Sequence, residues 1–271
     1  MARTILVTGS TDGIGLETAR QLVSRGHEVL LHGRDAGKLA SARTMLSSLP
    51  GAGRIGTFLA DLSRLDAVEE LATEVAARHE RLDVLVNNAG VLRTPSPRTD
   101  AGLDVRFVVN TIAPWLLTRR LLPLLGNGGR VVNLSSAAQA RVDPAALAGN
   151  VRLDDMAAYA QSKLALTQWS RHLALSLGKA GPVVVAVNPG SMLGSKMVRE
   201  GFGVEGGDLR TGADVLVRAA LSDEFAEANG LYFDNDSGCF APPHPDALDT
   251  LRCRELVAAM EGLIGGPDQG R

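Results

Sequence analysis

The 271-residue chain is 45% hydrophobic and carries a formal net charge of −2 with its arginines scattered. That is enough apolar material for a large core, and the lack of a basic block argues against a nucleic-acid partner. Two cysteines, Cys239 and Cys253, and five histidines without ligand spacing predict no disulfide framework and no metal site, as suits a reducing cytoplasm.

The first predicted strand, Thr4–Thr8, starts too early to leave room for a signal peptide, and no apolar run has spanning length, so no membrane partner is expected. It ends in Gly9-Ser-Thr-Asp-Gly13-Ile-Gly15 and a helical pattern follows over 14–25. Strand, glycine turn and helix form a phosphate site, because glycines let backbone N–H groups approach a pyrophosphate at a helix N-terminus. Thr11, Asp12 and Ile14 lie inside that turn. Further strands are predicted at Glu28–His32, Ile55–Leu59, Val84–Asn87, Val131–Ser135, Val183–Asn188 and Leu231–Phe233, alternating with helices at 36–48, 64–80, 101–124, 157–178, 208–221 and 246–263. Several strands lack polar alternation and must be covered on both faces. The pattern predicts a single domain over 1–271, a doubly wound α/β sheet of Rossmann type. The segments 91–100, 137–156 and 190–207 read as loops after C-terminal strand ends, where such sheets bind ligands.

The second strand is followed by Gly33-Arg34, where an acid would hold a free ribose 2′-OH. An arginine suits a 2′-phosphate instead, so NADP is expected ahead of NAD. Asp61-Leu62 after the third strand can hold an adenine edge; Asp61 can equally cap the next helix. Asn87-Asn88-Ala89-Gly90 ends the fourth strand with residues small enough for close approach of a cofactor. Tyr159 and Lys163 are four apart on one helix face, and an ammonium there would lower the phenol pKa and equip it for proton transfer. Ser136, or Ser135, can hydrogen-bond a substrate carbonyl oxygen. Asn110 sits amid apolar residues and needs partners, in the core or in a catalytic relay. Val91, Leu92, Met192, Leu193, Met197 and Phe202 are candidates for an apolar substrate pocket.

Taken together, Thr8-Gly9-x-x-x-Gly13-x-Gly15, Asp61-Leu62, Asn87-Asn-Ala-Gly90, Asn110, Ser136, Tyr159-x-x-x-Lys163 and Pro189-Gly190 resemble the short-chain dehydrogenase/reductase family in its single-domain form. Val29-Leu-Leu-His-Gly-Arg34 and Gly230-Leu-Tyr-Phe233 look most like its retinol-dehydrogenase-like branch, although the N-terminal membrane anchor common there is not seen. The resemblance implies a seven-stranded parallel sheet and an NAD(P)-dependent enzyme acting on a CH-OH group. It makes Tyr159 the acid/base and has Lys163 lower its pKa and hold the nicotinamide ribose. Ser136 binds the reacting oxygen, and Asn110 holds a relay water. It also implies cofactor contacts from Pro189, Gly190, Met192 and Ser195. A homodimer or homotetramer is expected through the helices at 101–124 and 157–178, with Leu116, Leu117, Leu164 and Trp169 at the interface; an unusual stretch at 140–156 leaves a monomer as the alternative. The competing functional readings are a non-catalytic dinucleotide-binding redox sensor and a sugar-nucleotide epimerase or dehydratase. The latter would need a separate substrate region that the sequence does not show.

Overall fold

The computed structural model describes residues 2–265. The strands are β1 (Thr4–Val7), β2 (Glu28–Gly33), β3 (Ile55–Leu59), β4 (Val84–Asn87), β5 (Arg130–Leu134), β6 (Val183–Asn188), β7 (Tyr232–Asp234) and β8 (Cys239–Phe240). They form one sheet in the order β3-β2-β1-β4-β5-β6-β7-β8. The first seven pair in parallel, as expected, and β8 adds an antiparallel edge to β7 through Phe233↔Phe240 and Asp234↔Cys239. This edge lies beyond the predicted strands. Two residues are too short for a periodicity, and Phe240 is held by tertiary packing, with ring centroids 5.1 Å from Phe233 and 5.2 Å from Phe225.

Successive side chains on a strand point to opposite faces, which divides the core in two. Leu6, Leu30, Leu85, Val131 and Val184 face one layer, made by α3 (Leu65–Arg78), α5 (Ala113–Leu125), α7 (Asp155–Leu177) and α11 (Thr250–Ile264). Ile5, Val7, Leu31, Val86, Val132 and Val185 face the other, made by α1 (Gly13–Ser24), α2 (Ala36–Ser47) and α9 (Leu209–Leu221). Strand order reverses between β1 and β4, so a crevice opens at their C-terminal ends. Aspartates at the helix starts supply much of the local signal. Asp12, Asp35, Asp154, Asp208 and Asp249 each accept a backbone N–H as N-cap of α1, α2, α7, α9 and α11.

The single helix expected over 101–124 is interrupted. Residues 101–104 turn, α4 (Val105–Phe107) runs into a π turn at Val108–Ile112, and α5 follows. Pro114 has no N–H to give to the carbonyl of Asn110, four residues earlier, so one α-type bond is missing where the π turn hands over to the first turn of α5. The stretch 137–156, expected as a loop, contains α6 (Pro144–Leu147), which buries Ala146 and Leu147. The stretch 190–207 contains α8 (Lys196–Phe202). The helix expected over 246–263 is split into α10 (Pro245–Leu248) and α11 by Asp249.

The surface proposed for subunit contact needs correction. Leu116, Leu117, Leu164 and Trp169 are all buried within the chain. α11 packs over this face, with Met260 and Val257 in the same core, Trp115 edge-on to Trp169 at 5.4 Å, and the Trp115 Nε1–H donating to Glu261 at 3.0 Å. The chain's own C-terminal helix lies where a partner was expected.

Candidate active site

A cleft of about 490 Å³ runs along the C-terminal ends of β1, β2, β4, β5 and β6. Its first wall is the glycine turn. Gly9 and Gly13 hold φ of +64° and +55°, a region open to glycine at little steric cost. A Cβ on Gly15 would lie 2.3 Å from both Asn88 Nδ2 and the Gly9 carbonyl oxygen. Asn88 uses that amide to donate to Thr8 O (2.8 Å) and Gly9 O (3.1 Å), while Thr8 Oγ1 accepts from the N–H groups of Asn88 (3.0 Å) and Ala89 (3.1 Å). The turn after β1 and the strand end of β4 are therefore laced into one unit. Asp12 spends its carboxylate on the Gly13 N–H at 2.7 Å. The N–H groups of Ile14 and Gly15, in the first helical turn, have no helical acceptor.

At the far end of this wall a Cβ on Gly33 would meet Thr11 Cγ2 at 2.6 Å, so any side chain there would displace that of Thr11. Arg34 is exposed, lines the cleft, and makes no ion pair among the described residues. Lys38, in the first turn of α2, lines the same end. It was missed in the sequence, although its position four after Arg34 puts a second cation within reach. Asp61 and Leu62 also line the cleft. Asp61 accepts the Ser63 N–H at 3.0 Å in a local turn, and the N-cap of α3 is Arg64. Asp61 is therefore not that helix's cap.

The opposite end holds the candidate chemistry. Tyr159, Lys163 and Ser136 all line the cleft. Lys163 Nζ is buried, donates to Leu134 O at 2.6 Å and lies 5.6 Å from the Tyr159 ring centroid. Burial holds its ammonium down, to a pKa of about 7. The Tyr159 phenol is shifted upward by desolvation, partly offset by a hydrogen bond from Ser136. The sequence argument expected a lowered phenol. In this structure desolvation dominates both groups and favours each in its neutral form. Both serines border the cleft, but Ser135 is buried with its hydroxyl engaged 2.7 Å from Thr167 Oγ1, which leaves Ser136 as the better placed. Tyr232 Oη and Gln139 Nε2 donate to the Ser136 carbonyl at 3.1 and 3.0 Å and fix that peptide. Neither was given a role in the sequence; the Gln139 contact is local, three residues on, while that of Tyr232 depends on the tertiary placement of β7.

Asn110 is behind the cleft floor. Its amide oxygen accepts the Val91 N–H (2.8 Å), and its Nδ2 donates to Val91 O (2.9 Å) and Ser162 Oγ (3.0 Å). A Cβ on Gly90 would lie 3.3 Å from Asn110 Oδ1 and 3.6 Å from Lys163 Nζ, so Gly90 keeps these groups close to the cleft. Asn87 departs from its expected place. Its Nδ2 donates to Thr118 Oγ1 (3.1 Å) and Asn133 Oδ1 (2.8 Å), inside the core. Strand alternation turns Asn87 toward α5, and only Asn88 faces the cleft side. Pro189, Gly190, Met192 and Ser195 line the third wall. Asp236 holds it by accepting from Ser191 N–H (2.8 Å) and Ser191 Oγ–H (2.6 Å), and Asn235 donates to Pro189 O (2.9 Å). Ser195 caps α8 through the Val198 N–H (3.2 Å). It stands across from Gly13, whose added Cβ would be 3.8 Å from its own Cβ. Val91, Leu92, Leu193, Met192 and Met197 line the same cleft, joined by Met156. The Phe202 side chain lies outside the described residues.

The comparisons with known proteins agree with this geometry. The family model described as short chain dehydrogenase matches residues 3–202. Retinol dehydrogenase 13 of Homo sapiens is 32% identical over 97% of this chain and 85% of its own length. Polyprenol dehydrogenase of Mus musculus is 33% identical over 98% and 85%. Among solved structures, the landomycin C-6 ketoreductase LanV with bound NADP and rabelomycin has a TM-score of 0.68 and 30% identity, covering 87% of this chain and 95% of its own. The chain belongs to the short-chain dehydrogenase family, with its likeness to the retinol-dehydrogenase-like branch, and is an NAD(P)-dependent oxidoreductase of alcohol and carbonyl groups.

Proposed function

We propose that the protein is an NADP-dependent carbonyl reductase whose substrate is an uncharged ketone or aldehyde with an apolar body. The observation that carries this reading is that one cleft joins the glycine turn and Arg34 at one end to Ser136, Tyr159 and Lys163 at the other. Arg34, with Lys38 beside it, fits a 2′-phosphate, because a planar guanidinium pairs with phosphate oxygens. Several similar solved structures are described as NADP complexes, LanV among them. The N–H groups of Ile14 and Gly15 suit a pyrophosphate at the N-terminus of α1, and Asp61 with Leu62 suits an adenine edge.

When bound, the dinucleotide supplies the hydride that reaches the carbonyl carbon. The residues of this chain handle the oxygen. Ser136 Oγ–H donates to the carbonyl oxygen and stabilises the charge that develops on it. Tyr159 gives that oxygen its phenolic proton, and the alcohol is complete. The Tyr159 phenol is protonated at neutral pH and so has a proton to give; its upward shift by desolvation works against that transfer, and a protonated Lys163 beside the ring offsets it. Lys163 Nζ, held by Leu134 O, stands beside the ring; it would hold the nicotinamide ribose and, in its protonated form, stabilise the phenolate that remains. Asn110 ties Val91 to Ser162 and keeps a relay water beside Lys163. Unpaired Cys239 and Cys253 fit a reducing cytoplasm, and the cover that α11 gives α5 and α7 favours a monomer.

Incubation with NADPH and a panel of uncharged aromatic, aliphatic, steroid and retinoid carbonyls tests this reading. It predicts NADPH oxidation with at least one class. NADPH binding without turnover across all of them would instead favour the sensor.

A further inference from the structure

His32 sits on β2, is 3% exposed and lines the adenosine end of the cleft. Its ring spans two separate segments. Nδ1 accepts the Gly9 N–H at 3.1 Å, and Nε2 lies 3.1 Å from the Ala60 carbonyl oxygen. The partners fix the tautomer, because a backbone N–H can only donate and a carbonyl can only accept. Nδ1 is therefore bare and Nε2 carries the hydrogen. The backbone of His32 adds to the same tie, giving its N–H to Ser10 Oγ (2.9 Å) and accepting the Ser10 N–H at its carbonyl (2.9 Å). Gly9 begins the phosphate-facing turn, and Ala60 precedes Asp61-Leu62. One imidazole bridges the two.

Two features show that the ring is more than core filling. Gly9 sits at a positive φ, and its N–H is directed into the ring rather than into the cleft. The charged groups at this end of the cleft are Asp12 on the turn, Arg34 and Lys38 after β2, and Asp61 after β3. Burial keeps His32 neutral until about pH 4, outweighing the Ala60 carbonyl and Asp61, both of which favour protonation of the ring. The acceptor at Nδ1 is thus present throughout the neutral range.

We propose that His32 is a positioning residue for the adenosine half of the dinucleotide, setting the separation of the Gly9 turn from the Asp61-Leu62 edge. The proposal rests on the reading of the cleft as a dinucleotide site. An Ala60 carbonyl that drifts moves the adenine edge; a Gly9 turn that drifts moves the pyrophosphate donors. The ring does not touch the reacting atoms, so its removal acts on affinity and leaves the saturated chemical step alone.

The test is equilibrium binding of NADPH and of 2′,5′-ADP, which carries only the adenosine half, to the wild type and to H32A, H32N and H32Q. Thermal melting of the ligand-free proteins runs in parallel. H32A should weaken both ligands by the same factor, about tenfold or more, since at least one hydrogen bond's worth of positioning is lost. H32N keeps an acceptor near Gly9 and H32Q keeps a donor near Ala60, so each should recover part of the affinity. Where turnover is measurable, KM for NADPH rises and kcat holds. A melting temperature that falls while both affinities stay at wild-type values would overturn the proposal and leave His32 a purely structural residue. Equal losses in all three variants, with no recovery in H32N or H32Q, would also overturn it. If the wild type binds neither ligand, the dinucleotide reading itself fails.

Discussion

Replacing Gly15 by alanine sets two effects against each other. In a helix the substitution normally stabilises by up to about 1 kcal/mol. Here the new Cβ would sit 2.3 Å from Asn88 Nδ2 and 2.3 Å from the Gly9 carbonyl oxygen, far inside contact distance. Neither neighbour is a free side-chain end. Gly9 O is backbone, and Asn88 Nδ2 is held by Thr8 O at 2.8 Å and Gly9 O at 3.1 Å. Relief requires moving the turn or breaking those bonds. Overpacking costs about 1–3 kcal/mol, and two hydrogen bonds lost add about 1 kcal/mol each. The net is a loss of about 2–4 kcal/mol, which lowers the melting temperature by roughly 2–4 °C per kcal/mol in a domain approaching this size. Denaturant unfolding and NADPH titration of G15A read both consequences, and affinity should fall with stability because the moved groups are the cofactor wall. A G15A protein as stable as the parent, with unchanged NADPH affinity, would refute the claim that glycine is required at this contact.

Other expectations follow from the same structure. Arg34→Ala should weaken NADPH by about 1–3 kcal/mol, the range for a charge-assisted hydrogen bond, and leave NADH nearly unchanged; paired titrations decide, and equal losses for both would remove the 2′-phosphate assignment. His32 titrates at about 4 in the fold against 6.5 in the open chain, so the unfolded state binds the extra proton. Its contribution is complete above pH 6.5 and is lost as pH falls toward 4, amounting to about 3 kcal/mol. H32N should therefore show a shallower acid limb in stability against pH, and an unchanged limb would contradict the assignment. Light scattering at micromolar concentration should give one species near 28.4 kDa, since α11 occupies the expected interface; a dimer would place association on another surface.

Much of this was legible in the sequence for a physical reason. Backbone-determined features such as Gly9, Gly13, Gly15 and the Tyr159-Lys163 pair depend on neighbours within a few residues. The strands were found because their hydrophobicity is continuous where both faces are covered. The failures need tertiary register. Asn87 differs from Asn88 only in which way a strand end faces. His32 finds its partners 23 and 28 residues away, so nothing local separates it from an ordinary core histidine. The burial of Trp169 under α11, and of Leu116 and Leu117 in the same core, depends on how distant helices pack. Pro114 was visible, but its effect on the carbonyl of Asn110 shows only once the helix is built around it.

The account turns on Tyr159 as the proton donor. With a carbonyl substrate in hand, turnover and NADPH affinity of Tyr159→Phe should be measured together. Loss of the phenolic proton should cut kcat by about 10²–10⁴-fold, the usual scale for general acid–base catalysis, while NADPH affinity barely changes because the ring remains in place. Full turnover by Tyr159→Phe with that substrate would contradict the mechanism.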